Sequence, residues 1–64
     1  MTNLKRIRAD RGLTQAALAE KSGINLRTLQ DYEQGQKPIN QAAAITVYRI
    51  AKALNASVEE LLEL

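Results

Sequence analysis

The sequence predicts an all-α fold, a compact bundle of five short helices, and three observations lead there. No stretch alternates apolar and polar residues for long, β-branched residues are few, and Ala and Leu dominate the apolar positions. Glycines at positions 12, 23 and 35 each follow a segment of helical periodicity. Gly is favoured just past a helix end, because it adopts the left-handed conformation freely, so these three read as helix stops. A chain of 64 residues forms one small domain. Such a domain buries only about 60% of its unfolded surface, so all the helices must share one core.

The first helix is predicted over residues 3–11, with Thr2 as N-cap and an inward stripe of Leu4, Ile7, Arg8 and Arg11. The second covers residues 15–22, capped by Thr14, with Leu18 and Ala19 facing inward. The third covers residues 26–34, capped by Asn25. Lys37-Pro38 then breaks the chain, since a residue before Pro is pushed out of the helical region. The fourth helix is expected from residue 40 to residue 54, with Ala43, Val47, Ile50, Ala51 and Leu54 inward and Asn55 as a left-handed cap. The fifth opens on Ser57-Val58-Glu59-Glu60, a capping box, with Val58, Leu61 and Leu62 as its apolar face.

Composition excludes several chemistries. With no Cys there is neither a disulfide nor a thiolate metal site. With no His the commonest metal ligand and the commonest general base are missing, and no metal site is expected. Asp31 and Glu33 point about 200° apart on a helix, so they cannot work as an acid–base pair. Glu59, Glu60 and Glu63 share a face, but a capped surface helix accounts for them. No Gly-rich phosphate loop is present. The expectation is a protein that is not an enzyme, with no catalytic residue, cofactor or small-molecule ligand. The basic start, Met1-Thr2-Asn3-Leu4-Lys5-Arg6, is not followed by an apolar run of signal-peptide length. The longest apolar stretch, Ala42 to Ile45, is far too short to span a bilayer, so no membrane contact and a cytoplasmic location are expected. Net charge is +2, with +3 in residues 1–37 and −1 in residues 38–64. That asymmetry fits a solvated surface and does not by itself establish a nucleic-acid partner.

Function is carried by residues 15–33. Two short helices are joined by Ser22-Gly23-Ile24-Asn25, a connection that sets them at a steep angle. Ala19 permits close crossing, Gly23 permits the turn, and Leu18, Ile24, Leu29 and Tyr32 pin the second of the pair to the body. Ala19, Gly23, Leu29 and Tyr32 stand at relative spacings of 0, 4, 10 and 13, a jointly constrained set.

Together with Arg8, Gly12-Leu13-Thr14-Gln15, Leu18-Ala19, Gly23-Ile24, Leu29, Tyr32-Glu33 and Gly35, this pattern resembles the Cro and phage-repressor family of helix-turn-helix domains. The agreement continues through Ile50-Ala51-Lys52-Ala53-Leu54 and Val58-Glu59-Glu60-Leu61-Leu62 and covers essentially the whole chain. The resemblance implies a lambda-repressor-like five-helix fold and a transcriptional regulator. In that family the second helix crosses the DNA backbone and the third enters the major groove, with dimers on half-sites about 34 Å apart. Ala17 departs from the pattern, which often has a Glu there closing a capping box with Thr14.

On a helical wheel, Thr28, Leu29 and Tyr32 cluster on one side of the third helix. Leu26, Arg27, Gln30 and Gln34 lie opposite, with Asp31 at the edge. Arg27 is the first choice for base readout, since Arg pairs bidentately with guanine, and contact with phosphate alone is its alternative. Gln30 suits adenine and Leu26 a thymine methyl. Asp31 either accepts from cytosine or, more simply, orients Arg27 four residues earlier. Thr14 and Gln15, at the start of the second helix, fit a phosphate. The family Gln at this position meets the DNA backbone and adjoining bases. Asn25, Gln34, Gln36 and Lys37 are further candidates for backbone contact; Asn40 is weaker, because capping the fourth helix explains it equally well. Arg8 and Glu33 are expected to form a partly buried ion pair tying the first helix to the end of the third, as in the resembling family.

The expected partners are therefore double-stranded DNA and a second copy of the chain. The alternative is a protein-interaction module, or an antitoxin-like component whose main partner is another protein. Two surfaces are candidates for pairing: the last helix with Leu61, Leu62 and Leu64, and Ile45 with Tyr48 off the core stripe of the fourth.

Overall fold

Side-chain caps set most of the helix starts. The computed structural model describes residues 1–64 and is all-helical, with α1 (Asn3–Asp10), α2 (Gln15–Ser22), α3 (Leu26–Gln34), a 3-10 turn (Ile39–Gln41), α4 (Ala44–Leu54) and α5 (Val58–Leu61). The Thr2 hydroxyl accepts from the Lys5 amide at 3.2 Å, and that of Thr14 from the Ala17 amide at 3.0 Å. Asn25 Oδ1 accepts from both Arg27 and Thr28 amides, and Ser57 and Glu60 close a reciprocal capping box. α2, α3 and α4 each end immediately before a residue with left-handed backbone, Gly23, Gly35 and Asn55, the last with φ of 55°.

One core holds the elements together. Leu4, Leu18, Leu29, Ile50, Leu54 and Leu61 are fully buried, one or two from each α-helix, and Ile7, Ile39, Val47, Ala51 and Ala53 complete the cluster. α2 lies against both α3 and α4, while α1 touches α3 and α5. The result is nearly isometric, 23 × 22 × 21 Å. Polar ties close the chain on itself. Asn3 Nδ2 donates to the Leu62 carbonyl at 2.9 Å, and Arg11 Nε caps the end of α4 by donating to the Leu54 carbonyl at 2.9 Å.

Four expectations are corrected. α4 begins at Ala44, not at residue 40, because the Asn40 side chain is engaged elsewhere: it donates to the Glu63 carbonyl and accepts from the Glu63 amide, at 2.7 and 2.8 Å. The segment before α4 instead makes the 3-10 turn that buries Ile39, a core residue the helical pattern did not include. Ala43 consequently lies exposed at the helix start. Arg11 is exposed as well, and its guanidinium reaches the end of α4. In α5, a single turn, Leu61 is buried and Leu62 packs partly against the core, but Val58 is 39% exposed. One helical turn is too short to direct three apolar side chains inward.

Candidate nucleic-acid interface

The turn between α2 and α3 decides how α3 is presented. Gly23 has φ of 75°, a left-handed value that costs a residue with a Cβ about 1–2 kcal/mol. A Cβ built there would meet nothing within 4 Å, so the glycine is required by its dihedral and not by space. Its amide donates to the Ala19 carbonyl at 2.9 Å, and the buried Ser22 hydroxyl accepts from the Ile24 amide at 3.3 Å. Ala19 and Ile24 pack partly against the core.

α3 is divided lengthwise. Leu29 and Glu33 are buried, and Thr28 and Tyr32 are partly so. Leu26, Arg27 and Gln34 are exposed, and Gln30 and Asp31 lie at the margin between the faces. The Arg27 side chain is 81% exposed, and its Nε stands 3.2 Å from Asp31 Oδ1. Lys37 Nζ approaches the other oxygen of Asp31 at 3.9 Å. Asp31 thus sits between two cations that project from α3 and from the loop after it. In that loop the Gln36 and Lys37 amides both donate to the Asp31 carbonyl, which fixes where the two side chains leave the backbone. Thr14, Asn25, Gln34, Gln36 and Lys37 are all exposed.

A second polar network lies beneath this face. Glu33, whose side chain is fully buried, accepts from Arg8 Nε at 2.6 Å and from Arg8 Nη2 at 3.1 Å. Arg8 Nη1 also donates to the Leu13 carbonyl at 2.7 Å. Gln15 Nε2 donates to Glu33 Oε1 at 3.1 Å, and Gln15 Oε1 accepts from Gln30 Nε2 at 3.3 Å. Both polar ends of the Gln15 side chain therefore have partners inside the protein. Sequence reasoning placed Gln15 and Gln30 on separate tasks and missed this link. Residues 15 positions apart on different helices carry no periodic signal, and only the crossing of α2 over α3 joins them.

Two short helices linked by the three-residue turn Gly23-Ile24-Asn25, the second with a buried inner edge and a polar outer one, define a helix-turn-helix domain. The sequence profile of the helix-turn-helix family matches residues 4–61, and the chain belongs to that family. It is similar to a protein of Sinorhizobium fredii named "Uncharacterized HTH-type transcriptional regulator y4dJ". The two are 35% identical over 60 residues, which is 94% of this chain and 74% of the relative. An "Uncharacterized HTH-type transcriptional regulator" of Archaeoglobus fulgidus is also 35% identical over 60 residues, 94% of this chain and 81% of the relative. No solved structure matches the chain. No helix is long and apolar enough to cross a membrane.

Proposed function

We propose that this protein is a sequence-specific transcriptional regulator that reads the major groove of double-stranded DNA with α3, as a homodimer on a palindromic operator. The observation that carries the reading is the lengthwise division of α3. Its inner edge is locked by Leu29 and Glu33, while Arg27 projects with four-fifths of its side chain in solvent. An Arg held this way on a rigid helix matches guanine O6 and N7 bidentately. Family membership and the names of the two relatives support the same reading.

Arg27 and Gln30 meet base edges, and Leu26 meets a thymine methyl. Asp31 holds Arg27 in place at 3.2 Å and repels sequences that offer only acceptors there. Around them the backbone amides at the start of α2, beside Thr14 and Gln15, face a phosphate, where the helix dipole favours an anion. Asn25, Gln34, Gln36 and Lys37 contact neighbouring phosphates and set the register of the protein on the duplex. The reading needs no cofactor and no bound small molecule.

Pairing runs through α4. Ile45 and Tyr48, 56% and 52% exposed, lie one turn apart on its outer side. Leu61 is fully buried and so has no area to offer a partner.

A gel-shift salt titration tests the reading. Six to ten phosphate contacts would weaken binding by about 10³–10⁵ between 50 and 200 mM salt. Negligible, salt-independent binding across random duplexes would overturn it and favour a protein partner instead.

A further inference from the structure

The geometry points to Gln15 and Glu33 as positioning residues that decide which base Gln30 accepts. This rests on the DNA-reading role proposed above and specifies it at one base pair. The argument begins at Glu33. Its carboxylate is buried against the Arg8 guanidinium, and both of its oxygens accept hydrogen bonds. Gln15 meets one of those oxygens at 3.1 Å and must present its NH2 group there. The other branch of the Gln15 amide, its oxygen, is thereby turned toward α3. Gln30 meets that oxygen at 3.3 Å and must in turn present NH2.

The chain of constraints ends at the protein surface. Gln30 Nε2 is directed inward and its Oε1 diverges from Gln15. Rotating the Gln30 amide by half a turn would set two carbonyl oxygens against each other. Rotating Gln15 as well would set an oxygen against the Glu33 carboxylate. The polarity of Gln30 is therefore fixed from the core. It approaches a base with one acceptor, Oε1, and the second hydrogen of Nε2 as donor.

That pair complements adenine, whose N6 donates and whose N7 accepts. It does not complement guanine, which offers two acceptors, O6 and N7, to the same edge. An unrestrained Gln can turn its amide to make the best of either base. A Gln tied through Gln15 to a buried anion cannot do so without breaking the network. Gln15 and Glu33 touch no base, yet they set the identity of one.

The experiment selects bound duplexes from a random pool with three proteins: wild type, Gln30→Ala and Gln15→Met. Gln30→Ala identifies the base pair that Gln30 reads. Wild type is expected to choose adenine over guanine there by tenfold or more. Gln15→Met keeps the length of the side chain and removes both hydrogen bonds. It should bring the adenine-to-guanine ratio at that pair close to one, while the pair read by Arg27 keeps its preference. A uniform loss at every position would instead reflect a loosened domain and would overturn the assignment. So would guanine at the Gln30 position of the wild-type sites, an observation that needs no variant to fold. An unchanged preference in Gln15→Met would overturn it too, while leaving the DNA-reading role standing. A wild-type pool with no consensus would overturn both.

Discussion

Arg8 Nε lies 2.6 Å from Glu33 Oε2, joining the last turn of α1 to the last turn of α3. The carboxylate side chain is fully buried and the Arg side chain nearly so, at 14% exposure. Three hydrogen bonds from two other helices converge on Glu33, from Arg8 Nε, Arg8 Nη2 and Gln15 Nε2. The pair thus anchors α3 from behind while its front stays free.

Arg8→Ala would leave that carboxylate buried and unpaired, a change that costs about 3–5 kcal/mol. A domain of this size holds only about 3–10 kcal/mol in total, so the variant should be largely unfolded or close to it. Arg6→Ala breaks an exposed 3.9 Å contact with Asp10 and should change stability by under about 0.5 kcal/mol. Urea unfolding of the two variants side by side checks the contrast, and equal midpoints would refute it.

Arg27→Ala is expected to leave the unfolding midpoint close to wild type, because its side chain is 81% exposed. It should relax base preference at one pair by about 1–3 kcal/mol. Lys37→Gln should weaken all sequences alike and lower the salt slope by about one. Competition binding with matched and mismatched duplexes separates these two signatures.

Gly23→Ala adds a methyl group into open space at a φ of 75°. The cost is then conformational alone, about 1–2 kcal/mol. For a domain of this length each kcal/mol corresponds to about 4–8 °C in melting temperature. A thermal melt that does not move would show that the turn relaxes to another backbone conformation.

Ile39→Ala should cost about 2–5 kcal/mol, because the 3-10 turn places this side chain in the core at 4% exposure. Ile45→Ala, six residues on and 56% exposed, should change the isolated subunit by under about 0.5 kcal/mol. Chemical denaturation at low protein concentration, where pairing does not contribute, makes the comparison.

Acid sensitivity has an identifiable source in α5. The Glu60 carboxyl is held below its ordinary value of 4.5, first because the Ser57 amide donates to it and then through the Ser57 hydroxyl. A carboxyl whose pKa is lower folded than unfolded adds stability above the unfolded value, and that gain is lost as pH falls through the folded one. Wild type should therefore lose more stability than Glu60→Gln as pH drops from about 6 to about 3. Parallel urea midpoints for the two proteins across that range would contradict this.

The two helices that flank the turn were legible because local chemistry fixes them. Thr14, Asn25 and Gly23 each act on amides and dihedrals within a few residues, and sequence spacing reports such effects directly. The Arg8–Glu33 contact lay within reach of the wheel argument, since each residue follows a core Leu by one turn. The start of α4 was not legible. Asn40 reads as a helix cap by type, and what it binds is the backbone of Glu63, 23 residues away. The link from Glu33 through Gln15 to Gln30 was hidden for the same reason.

By itself, then, the sequence determined where α1 begins, where α2 and α3 begin and end, which side of α3 is apolar, and the family to which the chain belongs. Tertiary structure alone decided that Ile39 enters the core, that Asn40 ties down the chain end, and that Gln15 joins Glu33 to Gln30. Caps and periodicity act over one or two turns of a single helix. Hydrogen bonds between helices depend on how those helices cross, and that geometry is settled only when the shared core packs.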